Sequence, residues 1–429
     1  MTKFVADLHI HSPYSRACSK DLRPESLYRW CQLKGVAVLG SGDFTHPAWF
    51  AELRDKLRPA EEGLFELKPE LAEKVNGEIP PTCRAPVRFL LEVEISCIYK
   101  KAGRVRKVHH LIYAPSFEVA GRLRESLEKI GNLRSDGRPI LGLDSKDLLK
   151  RVRDVSDRAY LIPAHAWTPH FAVFGSESGF DSLEECFDEL APEIFALETG
   201  LSSDPPMNRR VSGLDRLSLI SNSDAHSPEK IAREANFFDA PFSYEGIFDA
   251  LRRRPGGRLT ATFEFFPEEG KYHLDGHRKC QTRLTPKETQ EKGGLCPVCA
   301  KPVIVGVLSR VEKLADREAG KKPSSASAYE SLVPLKELLS ETLDVGPGSR
   351  KVDAAYHRLL SLFGNELFVL RELPPGRLEA EGFSLLALVL TRMREGKADI
   401  RPGYDGEYGV VSFLRPEDRF SGTEAAPVS

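Results

Sequence analysis

Asp7-Leu-His9-Ile-His11 sets two imidazoles one residue apart near the start of the sequence. On an extended chain alternate side chains share a face, so both rings can reach a single ion. Further groups of the same chemistry follow: Gly42-Asp43-Phe-Thr-His46, Glu92-Val-Glu94, His109-His110, His165 after Leu-Ile-Pro-Ala, and Asp224-Ala-His226 after Leu-Ile-Ser-Asn-Ser. Each stands at the start or end of an expected strand. Singly, each has an ordinary reading, such as a salt-bridged Glu92 or Glu94 or a core His109. Of each neighbouring pair one member is expected to be structural, because strand neighbours face opposite sides. Together, mixed imidazole and carboxylate ligands suit zinc, manganese or iron, and a shared carboxylate can bridge ions about 3.5–4 Å apart. Such a cluster makes a nucleophile of water at neutral pH and holds phosphoryl oxygens, so phosphoester hydrolysis is the expected reaction class.

A second pattern is His277-x2-Cys280, a 15-residue gap, then Cys296-Pro-Val-Cys299. Paired ligands two residues apart close a tight turn on Zn2+, and four ligands make a closed, structural site. His273 competes with His277 for the fourth position. Cys31, Cys83, Cys97 and Cys186 fall mostly on apolar segments and read as packing residues.

The elements that must position these groups alternate. Apolar runs at Phe4–Ile10, Val36–Leu39, Val87–Ile98, Val108–Tyr113, Tyr160–Pro163, Ile194–Glu198 and Leu217–Ile220 read as strands. Helical stretches lie at Pro24–Lys34, Ala48–Leu57, Val119–Ile130, Leu183–Leu190 and Tyr244–Arg254. Asp21-Leu-Arg-Pro24 and Ser227-Pro228-Glu229 each put a proline near a helix start with a capping residue close before it. This alternation predicts an α/β fold with a parallel, closed or nearly closed β/α barrel, whose chemistry sits at the C-terminal ends of the strands. Residues 58–86, with five prolines, break the rhythm as an insertion. We expect a barrel over residues 1–250, a zinc-binding module over 251–320 and a mainly helical region over 321–420, with helices at Tyr329–Leu343, Val352–Phe363 and Glu381–Met393. A disordered tail is expected over Gly422–Ser429.

The chain has 429 residues, enough for two or three domains of about 150 residues each. Lys+Arg 61 against Asp+Glu 63 excludes a whole-molecule basic field, though not a local basic groove. No apolar stretch approaches the roughly 20 residues that span a bilayer, and MTKFVADLHIH lacks a signal-peptide core, so no membrane partner is expected. Eight cysteines are too sparse for a disulfide framework and point to a cytoplasmic chain. Lys100, Lys101, Arg104, Arg106 and Lys107 crowd one expected hairpin leading into His109, where phosphate contact competes with a plain solvated tip. Residues 246–322 hold 16 Lys+Arg against 10 Asp+Glu, a second basic surface. Two loops after strands could meet substrate, one with His170 and Phe171, the other with Ser202 and Asp204. Val345-Gly-Pro-Gly-Ser-Arg-Lys351 reads as a helix-helix loop ahead of a phosphate cradle.

His9-x-His11, Asp43, Glu94, His109, His165 and Asp224-x-His226 resemble the motif series of the PHP (polymerase and histidinol phosphatase) family. That resemblance implies a distorted seven-stranded β/α barrel with a two- or three-metal cleft. His9, His11, Glu94 and Asp224 would hold the first ion and be the catalytic set. Glu94, preferred to Glu92, would bridge to a second ion with His165 and with His109, preferred to His110. His226 and a residue near Asp43 or His46 would hold a third. The chain departs from the family pattern with Ala17 and Cys18 where a further His is common, leaving His46 or Cys18 to complete that set. Tyr272-His-Leu-Asp-Gly-His-Arg-Lys-Cys280 and Tyr404-Asp-Gly-Glu-Tyr408 extend the likeness over nearly the whole chain, which resembles the endonuclease Q family. It implies nicking of double-stranded DNA 5′ to uracil, hypoxanthine, xanthine or an abasic site, by metal-activated water acting beside a flipped nucleotide. Zn2+ is expected at both centres, with Mg2+ or Mn2+ the alternatives in the cluster. A sliding-clamp partner has no readable motif. Two other classes use the same residues: a small-molecule phosphatase and a non-catalytic, zinc-dependent DNA-binding protein.

Overall fold

A computed structural model of the chain describes residues 1–324 and 326–419; the Gly422–Ser429 tail lies outside the described residues. The strands, in chain order, are β1 (Thr2–Asp7), β2 (Val38–Gly40), β3 (Leu57–Pro59), β4 (Phe65–Leu67), β5 (Arg88–Lys101) and β6 (Arg104–Ala114). They continue with β7 (Ile140–Leu141), β8 (Tyr160–Pro163), β9 (Ala196–Glu198), β10 (Ser218–Ile220), β11 (Ala235–Ala240), β12 (Arg258–Glu264), β13 (Asp275–His277), β14 (Thr282–Leu284) and β15 (Ala328–Ser331). All seven expected strands are present, as β1, β2, β5, β6, β8, β9 and β10.

Their arrangement differs from a uniformly parallel, seven-stranded barrel. The main sheet has 11 strands, and β9 and β10 form a separate parallel pair. β1, β2 and β5 are parallel neighbours, but β6 runs antiparallel to both β5 and β8. The reason is local. Only Ala102 and Gly103 join β5 to β6, both with positive φ (51° and 75°), and two residues permit a hairpin but no crossover. The segments after Leu217–Ile220 also bring β11 antiparallel to the free edge of β1, with β12 antiparallel to β11 beyond it. The insertion contributes the β3–β4 hairpin to the far edge and a helix at Pro69–Asn76. Tyr329–Leu343 is not one helix: β15 adds parallel to β12, and the helix begins only at Leu335.

Amide side chains join the β9–β10 pair to the main sheet. Asn236 Nδ2 donates to Ser221 O (2.7 Å) and Asn222 Oδ1 (2.8 Å), while Asn222 Oδ1 accepts from Leu8 N (2.8 Å). The strand ends after β1 and β10 are thereby held side by side. One apolar core runs from the helix Pro24–Lys34 through the sheet-flanking helices into the C-terminal helices around Leu335, Tyr356 and Val369. Across this junction the buried Lys34 ammonium meets Glu366 at 2.8 Å, and Glu366 also accepts from Tyr356 Oη (2.8 Å) and Leu335 N (3.0 Å). Buried charges are tolerated when so fully partnered. Among the described residues no helix is long and apolar enough to cross a membrane.

Glu264, at the end of β12, is fully buried, and its Oε2 accepts from Thr199 Oγ1 at 3.1 Å. Burial pushes its carboxyl up from 4.5 to about 8. The folded state therefore keeps a proton that the unfolded chain has lost, so this contribution is present at low pH and fades as pH rises from about 4.5 toward 8. Glu264→Gln is expected to flatten the fall in stability across that window by up to about 1.4 kcal/mol per pH unit. Urea unfolding at several pH values checks this; an unchanged slope refutes it.

Candidate metal centres and the adjoining cavity

The first set is built where β1 runs on past its last paired residue. Asp7 Oδ1 accepts from Ser223 N and Oδ2 from Ala232 N, both at 3.0 Å, which folds the loop after β10 across the chain following β1. Ile10 bridges Ala225, so His9 and His11 face Asp224. Asp224 Oδ1 lies 2.9 Å from His11 Nε2 and 3.6 Å from His9 Nε2. His9 Nε2, His11 Nε2 and Asp224 Oδ1 are all buried without an aligned hydrogen bond. Three orphaned polar atoms aimed at one point are a donor set that fits a cation. The opposite ring nitrogens are occupied: His9 Nδ1 by Glu198 (3.0 Å) and His11 Nδ1 by Asp43 (3.3 Å). A carboxylate behind each imidazole orients Nε2 and raises its basicity as a ligand. Burial works against the His9 imidazolium, but Glu198 and Asp224 outweigh it and raise its pKa to about 10.

The second set centres on Glu94. Its Oε1 is 2.8 Å from His109 Nδ1 and 2.9 Å from His165 Nε2, and those two nitrogens are 3.1 Å apart. Burial holds His109 down at about 4, a neutral imidazole suited to ligation. Glu94 Oε2 lies 3.6 Å from His11 Nε2, so this one carboxylate faces both sets. His110, on the other face of β6, bonds Ser145 Oγ at 2.8 Å beside Phe187. Glu92 and Glu94, two residues apart, share a face, contrary to the expectation of opposite sides. They differ in depth: Glu92 lies beneath the cluster, accepts from Gly42 N (3.1 Å), and is pushed well above the usual carboxylate range by burial.

Asp43, His165 and Asp224 all have positive φ (47°, 27° and 47°). Such backbone costs about 1–3 kcal/mol per residue and concentrates at functional sites. Gly200 permits the His165 turn, because a Cβ there would collide with His165 Cβ.

Asp43 and His46 do not join either set. Asp43 Oδ2 is saturated by Ser12 N, Ser12 Oγ and Ser15 Oγ, so this carboxylate orients His11 instead. His46 lies flat on Tyr14, with ring centroids 4.3 Å apart. His226 stands at the rim, its ring 4.6 Å from that of His11 and its Nδ1 2.9 Å from Asp224 O. Cys18 is half-buried nearby. Among the described residues no third set of three ligands converges beside these two.

A separate convergence is His277, Cys280, Cys296 and Cys299, whose ligand atoms lie within 4.8 Å of one another. The Thr282 hydroxyl beside Cys296 holds that thiol down at about 6, favouring thiolate. His273 is elsewhere, buried in the wall of the cavity described next.

A cavity of about 630 Å3 adjoins the clusters, lined among others by Thr168, His170, Ser202, Arg233, Tyr272 and Tyr408. Thr168 Oγ1 is 3.1 Å from His165 Nδ1, and Arg233 Nη2 donates to Asp224 O at 3.2 Å, so candidate ligands and cavity wall are directly connected. Phe171 packs over His109 at 4.6 Å. Asp204 is not in the wall; it caps the short helix Pro205–Asn208 by accepting from Met207 N at 2.9 Å. The basic hairpin divides. Lys100 and Arg104 face solvent and Lys107 lies over Phe171, whereas Lys101 is tied to Asp188 at 3.0 Å. Arg106 is buried, stacked on Phe180 at 4.1 Å and bonded to Gly179 O, so it serves packing.

Sequence reasoning missed Glu198 and Arg138. Glu198 ends an expected strand, and an acid at the close of an apolar run was its one visible signal. Arg138, 3.0 Å from Glu94 Oε2, sits in a loop with none.

A family model described as the MJ0043 C-terminal domain matches residues 334–397. Among curated proteins, YqxK of Bacillus subtilis is 28% identical over 424 residues, covering 96% of this chain and 100% of its own. MJ0043 of Methanocaldococcus jannaschii is 32% identical over 257 residues, which span 58% of this chain but only 31% of that protein. Among solved structures, endonuclease Q in complex with a 27-mer duplex substrate carrying an abasic lesion at its active site is 29% identical, with TM-score 0.83 over 99% of this chain and 98% of the other. The lesion-specific endonuclease PfuEndoQ from Pyrococcus furiosus is 30% identical, with TM-score 0.84 over 98% of this chain and 99% of that one. Agreement in sequence and in backbone thus runs from end to end of both molecules, and the chain belongs to the endonuclease Q family.

Proposed function

We propose that the protein is a metal-dependent endodeoxyribonuclease of DNA repair, hydrolysing the phosphodiester 5′ to uracil, hypoxanthine, xanthine or abasic nucleotides in duplex DNA. The observation that bears most weight is Glu94, a single buried carboxylate facing two sets of ligand atoms beside a cavity of nucleoside size. His9, His11, Asp224 and Glu94 would hold one divalent cation, and Glu94, His109 and His165 a second. His226 stands where it could add to the first. Bound cations supply Lewis acidity toward water and toward phosphoryl oxygens. Glu198 and Asp43 orient the imidazoles, and Thr168 fixes the tautomer of His165. Zn2+ fits this nitrogen-rich set, with Mg2+ or Mn2+ as alternatives, and Zn2+ fits the site of one histidine and three cysteines as a structural ion.

A cavity of 300–1,000 Å3 is ordinary for a small ligand. Here it would receive the extruded lesion nucleotide, as base-acting enzymes require, with His170 and Ser202 in its wall. Lys100, Arg104 and Lys107 would meet phosphates on one side of the cleft, and Arg278, Lys279 and Arg283 on the other. The family likeness to lesion-specific endonucleases supports this substrate over a small phosphomonoester, which would leave those basic groups idle.

The deciding experiment incubates the protein with duplexes carrying one uracil, hypoxanthine or abasic site, with Zn2+, Mg2+ or Mn2+ supplied. A nick 5′ to the lesion is expected, absent from undamaged duplex and reduced at least about a hundredfold in Asp224→Ala. Hydrolysis of a small phosphomonoester without any nick refutes the reading. Lys100→Ala with Arg104→Ala is expected to reduce the slope of log affinity against log salt by about 2, near 0.9 per lost phosphate contact. Cys299→Ser is expected to lower zinc by one ion per chain, measured by elemental analysis, while the remaining metal stays; unchanged zinc refutes a structural site there.

A further inference from the structure

Arg138 is the one Lys or Arg among the described residues that is ion-paired to a member of the clustered ligand sets. Its position is fixed by three attachments. Pro139 follows it, which confines Arg138 to extended backbone. Pro139 O accepts from Ser96 N at 3.0 Å, and β7 then pairs with Ser96 and Cys97, locking the loop to β5 two residues beyond Glu94. On the other side, Asp136 Oδ1 accepts from Arg138 N at 3.0 Å, and Gly137 N donates to Tyr14 O at 3.1 Å. Gly137 is pressed so closely on the site that a Cβ would collide with Asp43 Oδ2 and Ser15 Oγ. The loop is therefore held by the strand that supplies Glu94 and by the segment that orients His11.

The side chain reaches Glu94 Oε2 at 3.0 Å through Nη1, and it remains 26% exposed. A guanidinium has five N–H donors in a rigid fork, and this ion pair engages one nitrogen. Glu94 has His109 and His165 on its other oxygen, so it does not depend on Arg138 for its charge to be met. With cations held by the two sets, Glu94 would direct its charge to them, and the Arg138 fork would be left free to face the cleft. A phosphodiester seated there has two non-bridging oxygens, and a planar fork recognises such oxygens better than a point charge does.

Resting on the function proposed above, the geometry points to Arg138 as the residue that grips a non-bridging oxygen of the scissile phosphodiester and stabilises the negative charge that builds on it during hydrolysis. In that reaction one P–O bond forms to a water oxygen and the P–O bond to the departing sugar oxygen breaks. One proton leaves the attacking water and one is taken up by the leaving oxygen. Arg138 takes part in neither transfer; it stays protonated and supplies fixed donors where charge develops.

The test uses the full chain loaded with metal, as wild type, Arg138→Gln, Arg138→Lys and Arg138→Ala. On an abasic-site duplex, kcat is expected to fall about 10²–10³-fold in Arg138→Gln, with a much smaller change in KM. Arg138→Lys should recover part of the loss, and added guanidinium ion should restore activity to Arg138→Ala. Metal content should equal that of wild type in every variant. Separately, calorimetry with inorganic phosphate should show at least about tenfold weaker binding to Arg138→Gln. If kcat stays within about threefold of wild type, or if Arg138→Gln loses metal, Arg138 merely steadies Glu94 and the inference falls. If wild-type protein nicks no duplex, the proposed function falls instead, and phosphate binding still decides the role of Arg138.

Discussion

Two oxygens of Glu198 hold three separate stretches of chain in place. Oε1 meets His9 Nδ1 at 3.0 Å and Asn222 Nδ2 at 2.8 Å, and Oε2 accepts from His165 N at 2.7 Å. Those donors come from beyond β1, from the loop after β10 and from the turn after β8. A carboxylate in so dry a place is tolerated only because donors surround it. Each donor would in turn cost about 1–3 kcal/mol if stranded. The His9 ring and the backbone that carries His165 are thus held by a residue that belongs to neither candidate ligand set. Preorganisation of this kind lets ligands with left-handed backbones stay in place.

The cavity beside the clusters depends on parts of the chain far from them in sequence. Its walls combine the loops near Thr168, Ser202 and Arg233 with Phe265–His273 and Tyr408. The latter segments are joined at Leu274, whose N–H donates to Gly403 O at 3.0 Å, and at Arg278, whose N–H donates to Asp405 Oδ2 at 2.6 Å. The cysteine-rich site around His277 is built on the same short strands, β13 and β14. Shape beside the reacting groups is therefore tied to the local folding of a region that holds none of them.

Much of this was legible in the residues, for physical reasons. His9 and His11 share a face because strand periodicity is two, and the same rule separates His109 from His110. His277-x2-Cys280 and Cys296-x2-Cys299 mark a candidate knuckle whatever fold surrounds them. What remained hidden depends on contacts distant in sequence. Asp43 is the right chemical type for a ligand, but neighbouring serine donors saturate it, and a sequence does not display saturation. Glu198 and Arg138 are single charged residues whose roles exist only once remote strands meet. Strand direction was obscured for a similar reason: apolar runs look alike whether they pair parallel or antiparallel, and only the two-residue Ala102-Gly103 link separated the cases.

β1 has an implication for how the molecule is made. Its inner residues are buried on both sides, and one edge is completed by β11, which begins at Ala235. Synthesis at about 5–20 residues per second leaves that edge without its partner for tens of seconds after β1 emerges. Through that interval the nascent chain carries His9 and His11 without Asp224 opposite them. β1 is thus enclosed only once the chain has run on to β11, and the set of His9, His11 and Asp224 cannot assemble until residue 224 has been made, whereas Glu94, His109 and His165 are all present by residue 165.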